Sequence, residues 1–179
     1  MIFLLDMDGV IADFVSGLIK LHGWPIEHGD YANWDYHREF GITDDEMWEP
    51  TYDGSFWLSL DPYPWASALI RSLRNHGEVI YCTSPSKDAT CPSQKVSWLR
   101  AHGFMGINEV SYQIGKRKEL NAGSGAVLID DSDSNILKYR GAGGRAILFP
   151  QPWNENRRSS NDPAEYVIDI VEEMFPNNH

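Results

Sequence analysis

The sequence is short of the residue types on which whole classes of protein depend. It holds two cysteines, Cys82 and Cys91. That is too few for a disulfide framework, and a zinc site would need a second pair nearby, so both are expected to be free thiols. Apolar runs are brief. The opening stretch, residues 1–5, meets Asp6 at once, and no later run approaches the roughly 18 residues of a membrane-spanning helix. Neither a signal segment nor a membrane span is expected, which points to a cytoplasmic protein. Cations are scarce too: 15 Lys and Arg stand against 26 Asp and Glu, a formal net charge of -11. Affinity for a phosphate polymer comes largely from Lys and Arg, so a nucleic-acid polymer is not the expected partner. A small phosphorylated ligand asks only for a few local cations and a metal ion. A Gly-rich loop ending in Gly-Lys-Ser/Thr is missing, which argues against a kinase of that class, and the six histidines show no metal-ligand spacing.

Apolar residues make up 42% of the 179, enough for one sizeable core and too short a chain for two full domains. Aromatics are plentiful, and after the core is packed some remain to line a pocket for a flat ligand. Short apolar runs alternate with helix-like stretches, the pattern of a parallel sheet with crossover helices. Strands are expected at residues 2–5, 79–82, 110–112, 126–129 and 146–149, and helices at 64–75, 92–102, 134–139 and 163–174. Gly77 and Gly103 sit where the second and third strands' preceding helices should end. The expected fold is therefore α/β, an open parallel Rossmann-like sheet flanked by helices. Residues 15–60 break the rhythm: they lack a convincing strand, are rich in Trp, Tyr, Asp and Glu, and read as a small helical cap inserted after the first strand. Residues 1–14 and 61–179 then form the core domain, and 176–179 a frayed end.

The chemistry is concentrated where strands end. Asp6-Met7-Asp8-Gly9-Val10-Ile11-Ala12-Asp13 follows the first strand directly. In an open parallel sheet ligands bind beyond the carboxyl ends of the strands, so Asp6 and Asp8 are both aimed at the expected site. Two carboxylates one residue apart, beside a Gly that permits a tight turn, can share a hard cation while one of them attacks phosphorus. A lone Asp there could simply close an Asx turn; the pair is harder to explain that way. Asp130-Asp131 ends another apolar run. Carboxylates converging on one edge repel each other unless a cation neutralises them, and oxygen ligands without His or Cys favour Mg2+. Thr83 and Ser84 follow a third strand, where a hydroxyl and nearby backbone N–H groups can hold a phosphoryl oxygen. Lys116-Arg117-Lys118 precedes the strand ending at Asp130 and offers a lysine to nucleophile and phosphate.

These elements, in this order, resemble the haloacid-dehalogenase superfamily of phosphatases. The resemblance narrows to the 5'(3')-deoxyribonucleotidase family through residues 6–14, Phe56-Trp57-x-x-Leu60-x-Pro62-x-Pro64, Cys82-Thr83-Ser84-Pro85, Cys91-Pro92-x-x-Lys95 and Leu128-Ile129-Asp130-Asp131. It covers most of residues 1–153, with 16–54 poorly matched. It implies a Mg2+-dependent phosphomonoesterase acting on (deoxy)nucleoside 5'-monophosphates through an aspartyl phosphate. By position, Asp6 is the implied nucleophile, Asp8 the general acid and base, and Thr83 and Lys118 the phosphoryl-binding pair. The implied Mg2+ ligands are the Asp6 carboxylate, the Asp8 backbone carbonyl and the pair Asp130 and Asp131, with Asp131 favoured as the direct one. Phe14, Phe56 and Trp57 correspond to positions near the nucleoside, and Ser84, Lys87 and Lys95 to polar positions near the substrate. Trp65 stands where the family usually has Gly. To donate a proton Asp8 must hold one, which calls for burial or acidic neighbours around it. Another phosphomonoester, a sugar phosphate or a nucleic-acid end, is the alternative substrate, and a homodimer stays open.

Overall fold

A computed structural model describes residues 1–123, 125–159 and 161–176. Residues 177–179, within the expected frayed end, lie outside the described residues. Five strands form one parallel sheet: β1 (Ile2–Leu5), β2 (Glu78–Thr83), β3 (Tyr112–Ile114), β4 (Ala126–Asp130) and β5 (Arg145–Leu148), in the order β3-β2-β1-β4-β5. The helices are α1 (Phe14–His22), α2 (Asp44–Trp48), α3 (Ala66–His76), α4 (Cys91–Ala101), α5 (Asp133–Gly141) and α6 (Pro163–Met174).

The strands are apolar on both faces because both are covered, as a parallel sheet with crossover helices requires. Alternate residues divide between two clusters. Phe3, Leu5, Val79, Tyr81, Val127, Ile129 and Ile147 pack with the apolar residues of α3, α4 and α6. Leu4, Cys82, Leu128 and Leu148 pack with Ile136 and Tyr139 of α5. Both cysteines are buried free thiols. Among the described residues no helix is long and apolar enough to cross a membrane.

The expected strands and helices form within a residue or two of their predicted ends, with one informative shift. The apolar run at 110–112 starts the third strand two residues early: Val110 is 73% exposed, and pairing begins at Tyr81↔Tyr112. This is an edge strand with one partner, so register against β2, not local hydrophobicity, sets where it begins. Gly77 does follow α3, but in extended backbone; it is glycine because a Cβ there would overlap the carbonyl of Met1, which accepts from Glu78 N at 2.9 Å.

Between β1 and β2 the chain forms only helices. α1 is N-capped by Asp13, whose side chain accepts from Ser16 N, and α2 by Thr43 in a capping box with Glu46. Short 3-10 turns at His28–Asp30, Tyr36–Phe40, Glu49–Tyr52 and Phe56–Ser59 complete the segment. Their rings pack on one another, Trp24 on Phe40 and Tyr31 on Tyr36, in place of a sheet.

β1 lies between β2 and β4, so after β1, β2 and β3 step outward the chain returns to place β4 on the other side of β1. The crevice at that reversal, beyond the carboxyl ends of β1 and β4, is where ligands bind in such sheets. Because Leu4 is buried in the central strand and Leu137 is 69% exposed, Leu4→Ala should cost about 2–5 kcal/mol and Leu137→Ala within about 0.5 kcal/mol. Urea unfolding of the two variants checks this; equal effects would contradict the assignment of the two faces.

Candidate active site

Asp6 leaves β1 with its backbone N bonded to Ile129 O of β4 at 2.9 Å, so the two acidic motifs are stitched together at the crevice. Carboxylate oxygens of Asp6, Asp130 and Asp131 lie within 4.8 Å of one another, and all three residues are buried. Gly9 turns the loop that follows Asp8 and packs against Asp131. Its φ is +75°, and a Cβ would overlap Asp131 Oδ2, so close packing as well as backbone conformation demands glycine.

One cation answers the cluster directly. Lys118, carried inward on a 3-10 turn (Lys118–Asn121), is 2% exposed and places Nζ 2.8 Å from Asp6 Oδ1 and 2.6 Å from Asp130 Oδ2. Of the basic run at 116–118 it is the buried member; Arg117 pairs with Glu119 at 3.0 Å, and Lys116 lines the cleft described below. Burial, the largest influence, pushes the Asp6 carboxyl up to about 7; Lys118 opposes the rise, while Asp130 and Asp8 add to it. Asp131 is held well above the ordinary carboxylate range by burial and by Asp130 and Asp6. Burial alone would lower Lys118, but Asp6 and Asp130 outweigh it and its ammonium is held firmly protonated.

The acidic residues differ in what their oxygens already accept. Asp130 takes Lys118 Nζ, Ser132 N at 2.9 Å and Asn135 Nδ2 at 3.0 and 3.1 Å. Among the described residues the Asp131 carboxylate takes only Trp153 Nε1, on Oδ2 at 2.7 Å. Asp6 Oδ1 takes Met7 N and Lys118, each at 2.8 Å. Oxygens on Asp6 and Asp131 thus stay open, while Asp130 is saturated. An all-oxygen donor set of this kind fits a hard divalent cation such as Mg2+.

Asp8 projects past Gly9 toward α4. Burial or acidic neighbours were expected around it, and its side-chain hydrogen bond is to a cation: Lys95 Nζ donates to Asp8 Oδ2, to Thr83 Oγ1 at 2.8 Å and to the Ser84 carbonyl at 2.9 Å. Lys95 is itself 1% exposed. It reaches the site because it lies on α4 one turn beyond Pro92, a first-turn proline. Asp8 Oδ1 is buried with no hydrogen-bond partner among the described residues. Thr83, having accepted from an ammonium, keeps its own hydroxyl hydrogen free to donate.

A cleft of about 280 Å3 opens beside Asp8, lined by Trp48, Tyr52, Trp57, Ser84, Lys87 and Lys116 among others. It continues into a second hollow of about 220 Å3 over Asp6 and Asp131, lined also by Phe14, Trp34, Trp48 and Asn135. Phe14 stacks on Trp57 (5.5 Å, 6°) and, more tilted, on Trp48 (5.7 Å, 26°), and the three rings border the two hollows as an aromatic wall. Lys95 lies over Trp57 at 4.5 Å. Phe56, expected beside them, lines a different cavity with Gly17 and Leu60 and meets Phe14 and Trp57 edge-on. Lys87 reaches the cleft rim from the surface, paired with Asp45 at 3.0 Å. Trp65, in place of the usual Gly, donates Nε1 to the Val10 carbonyl at 2.9 Å and stacks on Tyr63.

Sequence reasoning passed over Trp34, Trp48 and Tyr52, which lie in the poorly matched stretch, and the turn after β5. There Gln151 Nε2 donates to the Gly9 carbonyl, and Trp153 and Asn154 both hold Asp131. The only signal was composition, Pro-Gln-Pro-Trp-Asn directly after the strand expected at 146–149.

The family described as "5' nucleotidase, deoxy (Pyrimidine), cytosolic type C protein" matches residues 1–168. The cytosolic-type 5'(3')-deoxyribonucleotidase of Homo sapiens is 30% identical over 147 residues, 73% of this chain and 70% of that protein. The mitochondrial 5'(3')-deoxyribonucleotidase of Mus musculus is 27% identical over 144 residues, 72% of this chain and 63% of that protein, so the chain spans under two thirds of that relative. A HAD-hydrolase from Bacillus subtilis, solved bound to magnesium, superposes with a TM-score of 0.58 over 95% of this chain and 97% of its own at 16% identity, a likeness of fold alone. With sheet order, acidic crevice and a family match over nearly its whole length in agreement, the chain belongs to the cytosolic type C 5'-nucleotidase family.

Proposed function

We propose that this chain is a Mg2+-dependent phosphomonoesterase that hydrolyses (deoxy)nucleoside 5'-monophosphates to nucleoside and phosphate. The observation that carries the reading is the cluster of Asp6, Asp130 and Asp131, buried within 4.8 Å of one another against one lysine at the mouth of an aromatic cleft. The family and the relatives' names support the substrate class. Residues 15–60 serve as the cap that closes the cleft.

Asp6 Oδ2, which accepts no hydrogen bond among the described residues, attacks phosphorus in line; the phosphorus–oxygen bond to the sugar breaks and an aspartyl phosphate forms on Asp6. Asp8, which must enter this step protonated, delivers its proton to the departing oxygen, and Lys95, bonded to Oδ2, restrains the orientation of the carboxyl. In the second step Asp8 takes a proton from water, the water attacks phosphorus, and Asp6 and phosphate are released. Thr83 and Lys118 donate to phosphoryl oxygens, and Asp130 keeps Lys118 in place. Mg2+, held by Asp6, Asp131 and the Asp8 backbone carbonyl, would neutralise the charge of the phosphoryl group and so let an anionic nucleophile approach it.

Phosphate release from a panel of deoxy- and ribonucleoside 5'- and 3'-monophosphates, with sugar phosphates and an end-phosphorylated oligonucleotide alongside, tests the assignment. Nucleoside 5'-monophosphates should rank highest and require Mg2+; preference for a sugar phosphate or the oligonucleotide would overturn it. In the same assay Asp6→Asn should lower kcat by about 10^4 or more with the fold retained, and activity within about a hundredfold of wild type would exclude the covalent route.

Mg2+ should stabilise the protein in a pH-dependent way. The folded Asp6 carboxyl is pushed up to about 7, above its unfolded value. The stability it contributes is therefore present at low pH in its protonated form and is lost as pH rises toward 7. Mg2+ must displace that proton, so its effect grows as the proton leaves. At about a hundred times its Kd, Mg2+ should raise the unfolding midpoint by about 5–10 °C at pH 8 and by about half that or less at pH 5. An unchanged midpoint at both pH values would mean that the cluster is no metal site.

The aromatic wall gives a third test. Trp48 is only partly buried, so its removal should spare the fold, whereas stacking on a base is worth roughly 1–3 kcal/mol. Trp48→Ala should lower kcat/KM for a nucleotide about 10- to 100-fold and leave p-nitrophenyl phosphate hydrolysis nearly unchanged. Equal losses on both substrates would show that the ring does not face the nucleoside.

A further inference from the structure

We infer that Trp153 is the positioning residue for Asp131: its indole N–H holds one carboxylate oxygen and so presents the other to the divalent cation. The inference rests on the proposed role of Asp131 as a Mg2+ ligand.

The turn after β5 sends three buried side chains back beneath the acidic loop. Gln151 donates to the Gly9 carbonyl, Asn154 Nδ2 to the carbonyls of Asp131 (2.9 Å) and Phe149 (2.7 Å), and Trp153 Nε1 to Asp131 Oδ2 (2.7 Å). Backbone and side chain of Asp131 are therefore gripped by neighbouring residues of one short turn. An indole nitrogen donates and never accepts, so this bond cannot invert and the oxygen it engages is fixed. Oδ1 of Asp131 accepts no hydrogen bond among the described residues. Packing leaves the carboxylate little room to rotate away: a Cβ on Gly9 would overlap Asp131 Oδ2 and come 3.1 Å from Trp153 Cζ2.

The ring is itself held. Trp34 (5.4 Å, 52°), His28 (5.3 Å, 65°) and Tyr31 (6.1 Å, 88°) surround it with tilted and edge contacts from the insertion. A ring so confined has already lost the freedom that a flexible donor would lose on metal binding. Groups that orient a ligand from behind are typically worth about 10- to 100-fold in metal affinity.

Calorimetry of Mg2+ binding to the metal-free protein reads this without turnover. Trp153→Phe keeps an aromatic ring against Trp34 and His28 but has no donor; it should weaken Mg2+ binding about 10- to 100-fold while remaining folded without metal. Trp153→Leu, also donorless, carries the same expectation if the phenylalanine variant does not fold. Trp153→His, which keeps a ring N–H, should stay closer to wild type. Affinity within about twofold of wild type in the donorless variants would overturn the inference, as would a His variant as weak as the Phe variant, which would make bulk rather than the N–H decisive. Asp131→Asn separates the two levels. If it binds Mg2+ like wild type, the proposed ligand set fails and the inference with it; if it loses Mg2+ and Trp153→Phe does not, the inference alone fails.

Discussion

Three carboxylates buried within 4.8 Å of one another, with one ammonium bridging two of them, leave a charge deficit that the rest of the site is arranged around. Like charges at that distance in a poorly solvated crevice either take up protons or find a cation. The protein does part of each: Lys118 answers Asp6 and Asp130, and burial pushes the Asp6 and Asp131 carboxyls upward, with Asp130 adding to both. The neutral donors are then distributed unevenly. Asp130 accepts from Lys118, Ser132 N and Asn135, whereas Asp6 and Asp131 each keep an oxygen open. That asymmetry divides the cluster into an anchor and two available ligands, which a count of acidic residues could not do.

The sheet makes this deficit unavoidable. Because the chain reverses direction of travel across the sheet after β3, β4 pairs directly with β1, and the residues that follow them meet at one edge. This much was legible in the sequence, since an apolar run ending in Asp is a local pattern and strand ends share an edge in any parallel sheet. Asp6, Asp8, Asp130, Asp131 and Thr83 could be located for that reason, while Lys118 was singled out of its basic run by the family resemblance. So could the helical character of the insertion, from the lack of any alternating pattern between the first strand and Pro62.

What stayed hidden depends on contacts between distant residues. The resemblance puts Lys95 near the substrate, but which groups it holds stays hidden until α4 is docked and its ammonium is found on Asp8 and Thr83. Phe56 and Trp57 are adjacent and equally apolar, yet a 3-10 turn sends them to different cavities, and no periodicity distinguishes neighbours in so short a turn. Trp34 and Trp48 come from the segment least like the family, where family motifs give no guide. Trp153 and Gln151 lie in an irregular turn, and only the folded chain shows that Gln151 points back at the loop after β1 and Trp153 at Asp131 after β4.

The charge distribution bears on what the proposed site can accept. The chain carries 15 Lys and Arg in a molecule of net charge -11, and of these Lys87 and Lys116 line the cleft while Lys95 and Lys118 are buried on Asp8 and Asp6 beside it. Surface repulsion of an anionic substrate is screened over about 8 Å at physiological salt, so a monophosphate meets the acidic surface only weakly on approach and the local cations strongly once inside. A polymer gains no such relief. On the proposed reading it would have to lay successive phosphates along a surface on which carboxylates outnumber the Lys and Arg that polyanion binding requires. On the proposed reading, the same electrostatics that admit one phosphoryl group at Lys118 therefore select for a small phosphomonoester, and the Trp57–Phe14–Trp48 wall is left to choose among such esters by the shape of what is attached.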